Sequence, residues 1–325
     1  MRQSIVRCQE AGMQIKIGAL LWAQQTDWPA LRDAAIAADR AGFDSLWVSD
    51  HLLCPIGSWR NPVYEAWATI AGLGALTERA TIGTLVGAIT FRNPGLVAKL
   101  AATVDHITGG RAVLGLGGAW LAREHHMHGI DFGASAGERL DRLHEAVPLI
   151  RGLLDGETVT HSGRFYNLVE AEQFPRPLQS HLPILIGGQG RRKTLRTVAM
   201  YADMWHTQHG SLEKIRASDA VLREHCAAVG RDPATIERLA SKWVTIRDDP
   251  DEARGELDAS LRHHGLEEYE PSILAAGTPA AIAQALRAHI DAGFTHLLFS
   301  LRAPFDHETI ERMPEVRRLL TANGK

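Results

Sequence analysis

Apolar and polar positions alternate along this chain in two periods. "IKIGALLW" (Ile15–Trp22) is a near-continuous apolar run of β-prone residues. It is followed by "PALRDAAIAADRAG", whose apolar positions recur at helical spacing between Pro29 at its start and Gly42 at its stop. The same couple then repeats. "SLWVSDHL" precedes a helix from about Tyr64 to Leu76, and "ATIGTLVGAIT" (Ala80–Thr90) precedes one over Gly95–Ile107. "RAVLGLGG" (Arg111–Gly118) leads to a long charged helix over Ala136–Leu154, and "LPILIGG" (Leu182–Gly188) to "GRRKTLRTVAMYA". "DMWHTQ" precedes a helix over Leu212–Val229, and "ERLASKWVTI" (Glu237–Ile246) precedes an acidic segment and "TPAAIAQALRAHIDAG". "HLLFSL" (His296–Leu301) and a helix over about His307–Leu320 close the series.

Apolar strands alternating with helices predict a parallel sheet covered by helices. Eight such strands predict a (β/α)8 TIM barrel, with an open doubly wound sheet as the competing architecture. The stretches 119–135 with 155–181, and 248–277, exceed ordinary connections and read as insertions at the carboxyl-terminal face of the strands. Residues 1–12 read as an extension ahead of one domain spanning 13–325.

With 325 residues, 45% of them hydrophobic and 22% charged, the chain has ordinary globular proportions. A net charge of −3 offers no basic footprint for nucleic acid and no polybasic patch for a membrane. No apolar run reaches the roughly 18 residues of a membrane helix. Cys8, Cys54 and Cys226 stand far apart with no CxxC spacing, which fits a reduced cytoplasm.

In such a barrel chemistry gathers where strands end. Asp50 and His51 end the second strand, Thr90 the third, Gly115 to Trp120 the fourth, Gly187 to Arg191 the fifth, and His206 with Gln208 the sixth. The glycine turns "LGLGGAW" and "LIGGQGRRKT" let backbone N–H groups approach a phosphate, the second with Arg191, Arg192 and Lys193 beside it. Neither is a P-loop. Trp22, Trp120 and Trp205 stand at strand ends suited to a flat ligand, whereas Trp47 and Trp67 read as core. The tract "EHHMH" (Glu124–His128) and the pair His263–His264 read as solvated histidines rather than metal ligands, since no HxH occurs on the first strand, HExxH is absent and the tract lies on an insertion after the fourth strand.

"GFDSLWVSDHL", "TLVGAITFRNPGLVAKLAATVDHITGGRAVLGLGGAW", "GERLDRLHEAVPLIRGL" and "PILIGGQGRRKTLRTVAMYADMW" together resemble the luciferase-like monooxygenase family, in particular its coenzyme F420-dependent branch. The resemblance runs from about Ile15 to Leu301. It implies a barrel with a deazaflavin (or FMN) ring across the strand ends. Asp50 and His51 match the active-site acid and histidine, and Leu85–Val86 matches a non-proline cis peptide under the ring. Thr90, Gly115, Gly117 and Gly118 match cofactor-contacting segments, and Gly187, Gly188, Gly190 and Arg191 match the turn that holds the phosphate-bearing tail. It also implies a homodimer. One departure stands out: relatives that oxidise sugar phosphates carry a glutamate where this chain has Trp120, which favours a more apolar small-molecule substrate.

His51 is then the general acid or base, with Asp50 orienting it. Hydride transfer with F420 is the leading reading. An FMN-dependent monooxygenase, a metal-dependent barrel hydrolase and a non-catalytic flavin-binding protein are the alternatives.

Overall fold

Residue alternation on the first strand already separates two cores. In the computed structural model, which describes residues 14–207, 210–266 and 271–322, Ile17, Ala19 and Leu21 join one apolar cluster and Leu20 and Trp22 another. Successive strand residues point to opposite faces, so the first set meets the surrounding helices and the second fills the interior.

The elements run β1 (Lys16–Leu21), α1 (Trp28–Ala41), β2 (Ser45–Val48), α2 (Ala66–Leu76), β3 (Thr81–Thr84), β4 (Gly87–Ala88), α3 (Pro94–Ile107), β5 (Ala112–Gly117), α4 (Ala122–Met127) and α5 (Ala136–Leu154). They continue with β6 (Val159–Ser162), β7 (Asn167–Ala171), β8 (Ile184–Gly187), α6 (Thr194–Tyr201), β9 (Met204–Thr207) and α7 (Leu212–Ala228). Last come β10 (Glu237–Ile246), α8 (Pro250–His263), β11 (Leu274–Gly277), α9 (Pro279–Ile290), β12 (His296–Leu301) and α10 (His307–Ala322). Strands β1, β2, β3, β5, β8, β9, β10 and β12 pair in parallel in that order, and β12 returns to β1. This is the expected closed (β/α)8 barrel.

Local signals place the helices. Asp27 caps α1 by accepting from Ala30 N, and Gly42 ends it at φ 91°, a conformation that favours glycine. Ser135 caps α5 by accepting from Glu138 N.

Two expectations are corrected and a third holds. The third strand is not continuous: it breaks into β3 and β4 at Leu85–Val86, whose peptide is cis. The stretch 155–181 is no mouth insertion. Its β6–β7 hairpin docks on α5, where Glu145 accepts from Phe165 N and Tyr166 N. Gln179 Nε2 then reaches Asp105 and the carbonyl of Ala112, the first residue of β5, so the segment lies at the amino end of that strand, away from the mouth. The stretch 248–277 does lie at the carboxyl-terminal face: it builds α8 and β11, and β11 extends the sheet beside the carboxyl end of β10. The proposed extension 1–12 lies outside the described residues.

The amino ends of four strands are tied by one polar chain. Trp47 Nε1 donates to Ser45 Oγ (2.7 Å), which meets His296 Nε2 (2.7 Å), while His296 Nδ1 meets Glu237 Oε1 (2.9 Å) and Lys16 Nζ meets Glu237 Oε2 (3.0 Å). Burial opposes ionisation of Glu237, but hydrogen bonding and charge from His296 and Lys16 outweigh it and bring its pKa from 4.5 to about 2. A carboxyl lowered by folding stabilises the native state above its unfolded pKa and loses that contribution as pH falls towards its folded one. At about 1.4 kcal/mol per unit the contribution is at most about 3 kcal/mol. Urea titrations should therefore show stability falling between pH 4.5 and 2, with Glu237→Gln less stable at pH 7 and flatter across that window. An unchanged slope in the variant would remove the assignment.

Candidate active site at the barrel mouth

Two neighbouring residues leave β2 in opposite directions. The Asp50 side chain is fully buried, and its carboxylate accepts from Ala88 N (3.0 Å) and in bidentate fashion from Arg92 (2.6 and 3.1 Å). Burial pushes its pKa up, while Arg92 and the Ala88 amide pull against that rise. Arg92 also reaches Glu65, the residue that caps α2, so one guanidinium joins the strand end to the next helix.

His51 turns into the cleft. Its Nδ1 lies 3.1 and 3.3 Å from the two carboxylate oxygens of Glu124, and Leu52 N donates to the same carboxylate (3.0 Å). A carboxylate only accepts, so Nδ1 carries the hydrogen and Nε2 is the nitrogen left for chemistry. The expectation that Asp50 orients His51 is thus corrected: Glu124 holds the ring, and Asp50 is engaged by Arg92. The reading of the tract around Glu124 is corrected in part: Glu124 and His125 are 1% and 0% exposed, while His126 and His128 are exposed as expected. His125 Nε2 meets Thr90 Oγ1 at 2.7 Å, and His264 is also buried, its Nδ1 donating to Gln25 Oε1.

Two adjoining cavities of about 450 and 350 Å³ share Ser49, His51, Leu85, Val86, Trp120 and Gly187. Leu85 and Val86 form their common floor. Val86 fits there because Gly117 and Gly187 flank it: a Cβ on Gly117 would stand 2.5 Å from Val86 Cγ2, and one on Gly187 2.8 Å from Cγ1. The larger cavity continues over Leu20, Trp22, Pro55 and Ile56, a largely apolar wall. The smaller one runs past Gly118, Gly188 and Gly190 to Thr194 and Arg139.

Not every expected residue borders this cleft. Trp22 and Trp120 do, with Trp120 57% exposed and its ring edge-on to His51 at 5.6 Å. Trp205 does not. It is fully buried, donates to Gly188 O (2.8 Å) and packs on Phe294, because strand alternation sends it outward while His206 points in. Gly115 is likewise structural: a Cβ there would lie 1.8 Å from the Thr84 carbonyl, so glycine is needed for β3 and β5 to approach. Thr90 is spent on His125. Arg191 is exposed and outside the cavity walls; the cation beside the glycine turn is Arg139, 8% exposed, with Nε donating to Gly118 O. Gln208 lies outside the described residues. Trp47 and Trp67 are core, as expected.

A family model described as luciferase-like monooxygenase matches residues 13–295. The chain belongs to this family. Within it, the chain is 30% identical over 316 residues to a protein of Kineococcus radiotolerans named F420-dependent glucose-6-phosphate dehydrogenase, covering 89% of this chain and 91% of that one. Among solved structures, an F420-dependent secondary alcohol dehydrogenase in complex with an F420–acetone adduct superposes with a TM-score of 0.82 at 24% identity, covering 95% of this chain and 99% of the other. The oxygenating constituent of 3,6-diketocamphane monooxygenase from Pseudomonas putida, in complex with FMN, gives 0.75 at 16% identity, covering 94% and 98%. These two likenesses establish a shared barrel. Among luciferase-like proteins this chain is therefore an enzyme scaffold whose mouth carries an imidazole fixed by a buried carboxylate.

Proposed function

We propose that the chain is a coenzyme F420-dependent oxidoreductase that moves a hydride between the deazaflavin and a small, largely apolar organic substrate. The observation that carries this reading is one continuous cleft. His51, locked by Glu124, stands over the Leu85–Val86 floor, and the same floor leads to a glycine-lined end with a buried arginine. The residues present suit such a cofactor. Leu85 and Val86 would carry the flat ring, and Gly188, Gly190, Thr194 and Arg139 would hold the phosphate-bearing tail. Bound there, a deazaflavin supplies two-electron hydride chemistry.

The protein's own share is placement and a proton. His51 Nε2 takes or gives the substrate proton, and Glu124 keeps the imidazole in the tautomer that allows it. Trp120 and the apolar wall exclude water and seat the substrate. Trp120 in place of a carboxylate argues against sugar-phosphate turnover, although the similar dehydrogenase from Kineococcus radiotolerans is named for it.

Titrating the purified protein with F420 and with FMN, anaerobically and in air, tests the proposal. F420 should bind at least about tenfold more tightly, a difference of about 1.4 kcal/mol. Tight FMN binding with oxygen consumption would replace it with the monooxygenase reading.

A further inference from the structure

The chain leaves β5 through a turn that no glycine makes. Gly117 and Gly118 are there for space: a Cβ would stand 2.5 Å from Val86 Cγ2 at the first and 2.8 Å from Leu140 Cδ2 at the second. The left-handed backbone falls instead on the next residue, Ala119, at φ 58°. Among the described residues other than glycine, only Gln25 and Glu170 also have a positive φ. Gln25 is held there by its own side chain, whose Nε2 donates to Ile56 O (2.9 Å) and whose Oε1 accepts from His264 Nδ1 (2.7 Å). Alanine has no polar side chain to do the same, so the conformation is imposed by the elements on either side.

This turn delivers Trp120. The indole borders both cavities at the mouth, yet it is 57% exposed, and the one ring it meets among the described residues is His51. Packing that slight does not fix a side chain of this size, so its direction is set by the main chain. Here the methyl group of Ala119 matters. A glycine in its place would range widely over positive and negative φ, whereas a Cβ confines the backbone to one small left-handed well.

We propose that Ala119 is a positioning residue: its left-handed backbone holds Trp120 as a preformed wall over the space that the two cavities share, so a ligand entering that space does not have to order the indole first. The proposal rests on the reading of this cleft as the cofactor and substrate site.

Fluorine NMR of the protein labelled with fluorotryptophan tests it, the Trp120 line being the one missing from Trp120→Ala. Wild type should give one sharp Trp120 line with no ligand present. Ala119→Gly should broaden or split that line and leave those of the other tryptophans in place. F420 affinity, read by the cofactor's own fluorescence, should fall about two- to tenfold in Ala119→Gly, the cost of ordering one side chain on binding. In the Trp120→Ala background the same substitution should change affinity by less than about twofold, since it acts through the indole. The thermal midpoint of Ala119→Gly should not drop, because relief of strain offsets the added freedom of the unfolded chain. A Trp120 line that stays sharp in Ala119→Gly overturns the proposal, as does an equal loss of affinity in both backgrounds or a lowered midpoint. If F420 fails to bind wild type while the Trp120 line still broadens in Ala119→Gly, the cofactor reading falls and the role of Ala119 stands.

Discussion

His51→Ala should lower turnover by about 10²- to 10⁴-fold, the usual share of a positioned proton-transfer group. F420 affinity should stay within about threefold, since uniform binding and transition-state proton transfer are separable effects. The reason lies in how the ring is held. Nδ1 is committed to Glu124, so a single nitrogen, Nε2, is left for the substrate, and Trp120 packs edge-on against the imidazole. Glu124→Gln should give an intermediate loss, because an amide oxygen in the place of Oε2 can still accept from both Nδ1 and Leu52 N, but the negative charge that favours a protonated imidazole is gone. Stopped-flow measurement of the hydride step under anaerobic conditions separates this loss from product release. If His51→Ala kept turnover within tenfold of wild type, the proton would have to come from elsewhere.

Arg92→Met should cost about 3–5 kcal/mol of stability, the penalty for leaving one partner of a buried ion pair behind. The Asp50 side chain is fully buried and Arg92 is 12% exposed, so water cannot replace the lost guanidinium. What would remain is a carboxylate with one backbone N–H, from Ala88, for company. Burial already raises the pKa of Asp50, and removing Arg92 takes away the main opposing influence. A carboxyl raised by folding favours the native state below its unfolded pKa and costs stability as pH climbs through the window above it. The deficit of Arg92→Met should therefore shrink as pH drops from 7 towards 4. Asp50→Asn combined with Arg92→Met should recover part of it, since the uncompensated charge is gone. Urea unfolding of the three proteins at two pH values reads all of this. A loss below about 1 kcal/mol at pH 7 would mean that Arg92 is a surface contact rather than a buried partner.

Both results turn on residues whose roles only folding reveals. The number and order of the barrel strands were legible in the chain, because strand and helix periods are local: "IKIGALLW" and its seven counterparts carry their own apolar patterning, and caps such as Asp27 and Gly42 act within a few residues. Closure follows from those units, since each buries its apolar face only against its neighbours. The mouth as the place for Asp50 and His51 was legible for the same reason. Trp205 was misassigned to the substrate pocket, although its parity against His206 carried the signal that it faces the helices. Partnerships were another matter. Glu124 stands 73 positions from His51, and Arg92 42 from Asp50; no period links them. That Gly115 makes room for the Thr84 carbonyl, that Arg139 rather than Arg191 borders the glycine turn, and that the stretch 155–181 packs on α5 and the amino end of β5 are likewise decided by which elements meet. Local periodicity dictates what each segment becomes. Distances between side chains far apart in the chain exist only once the ring has closed, and the chemistry at the mouth is made of those distances.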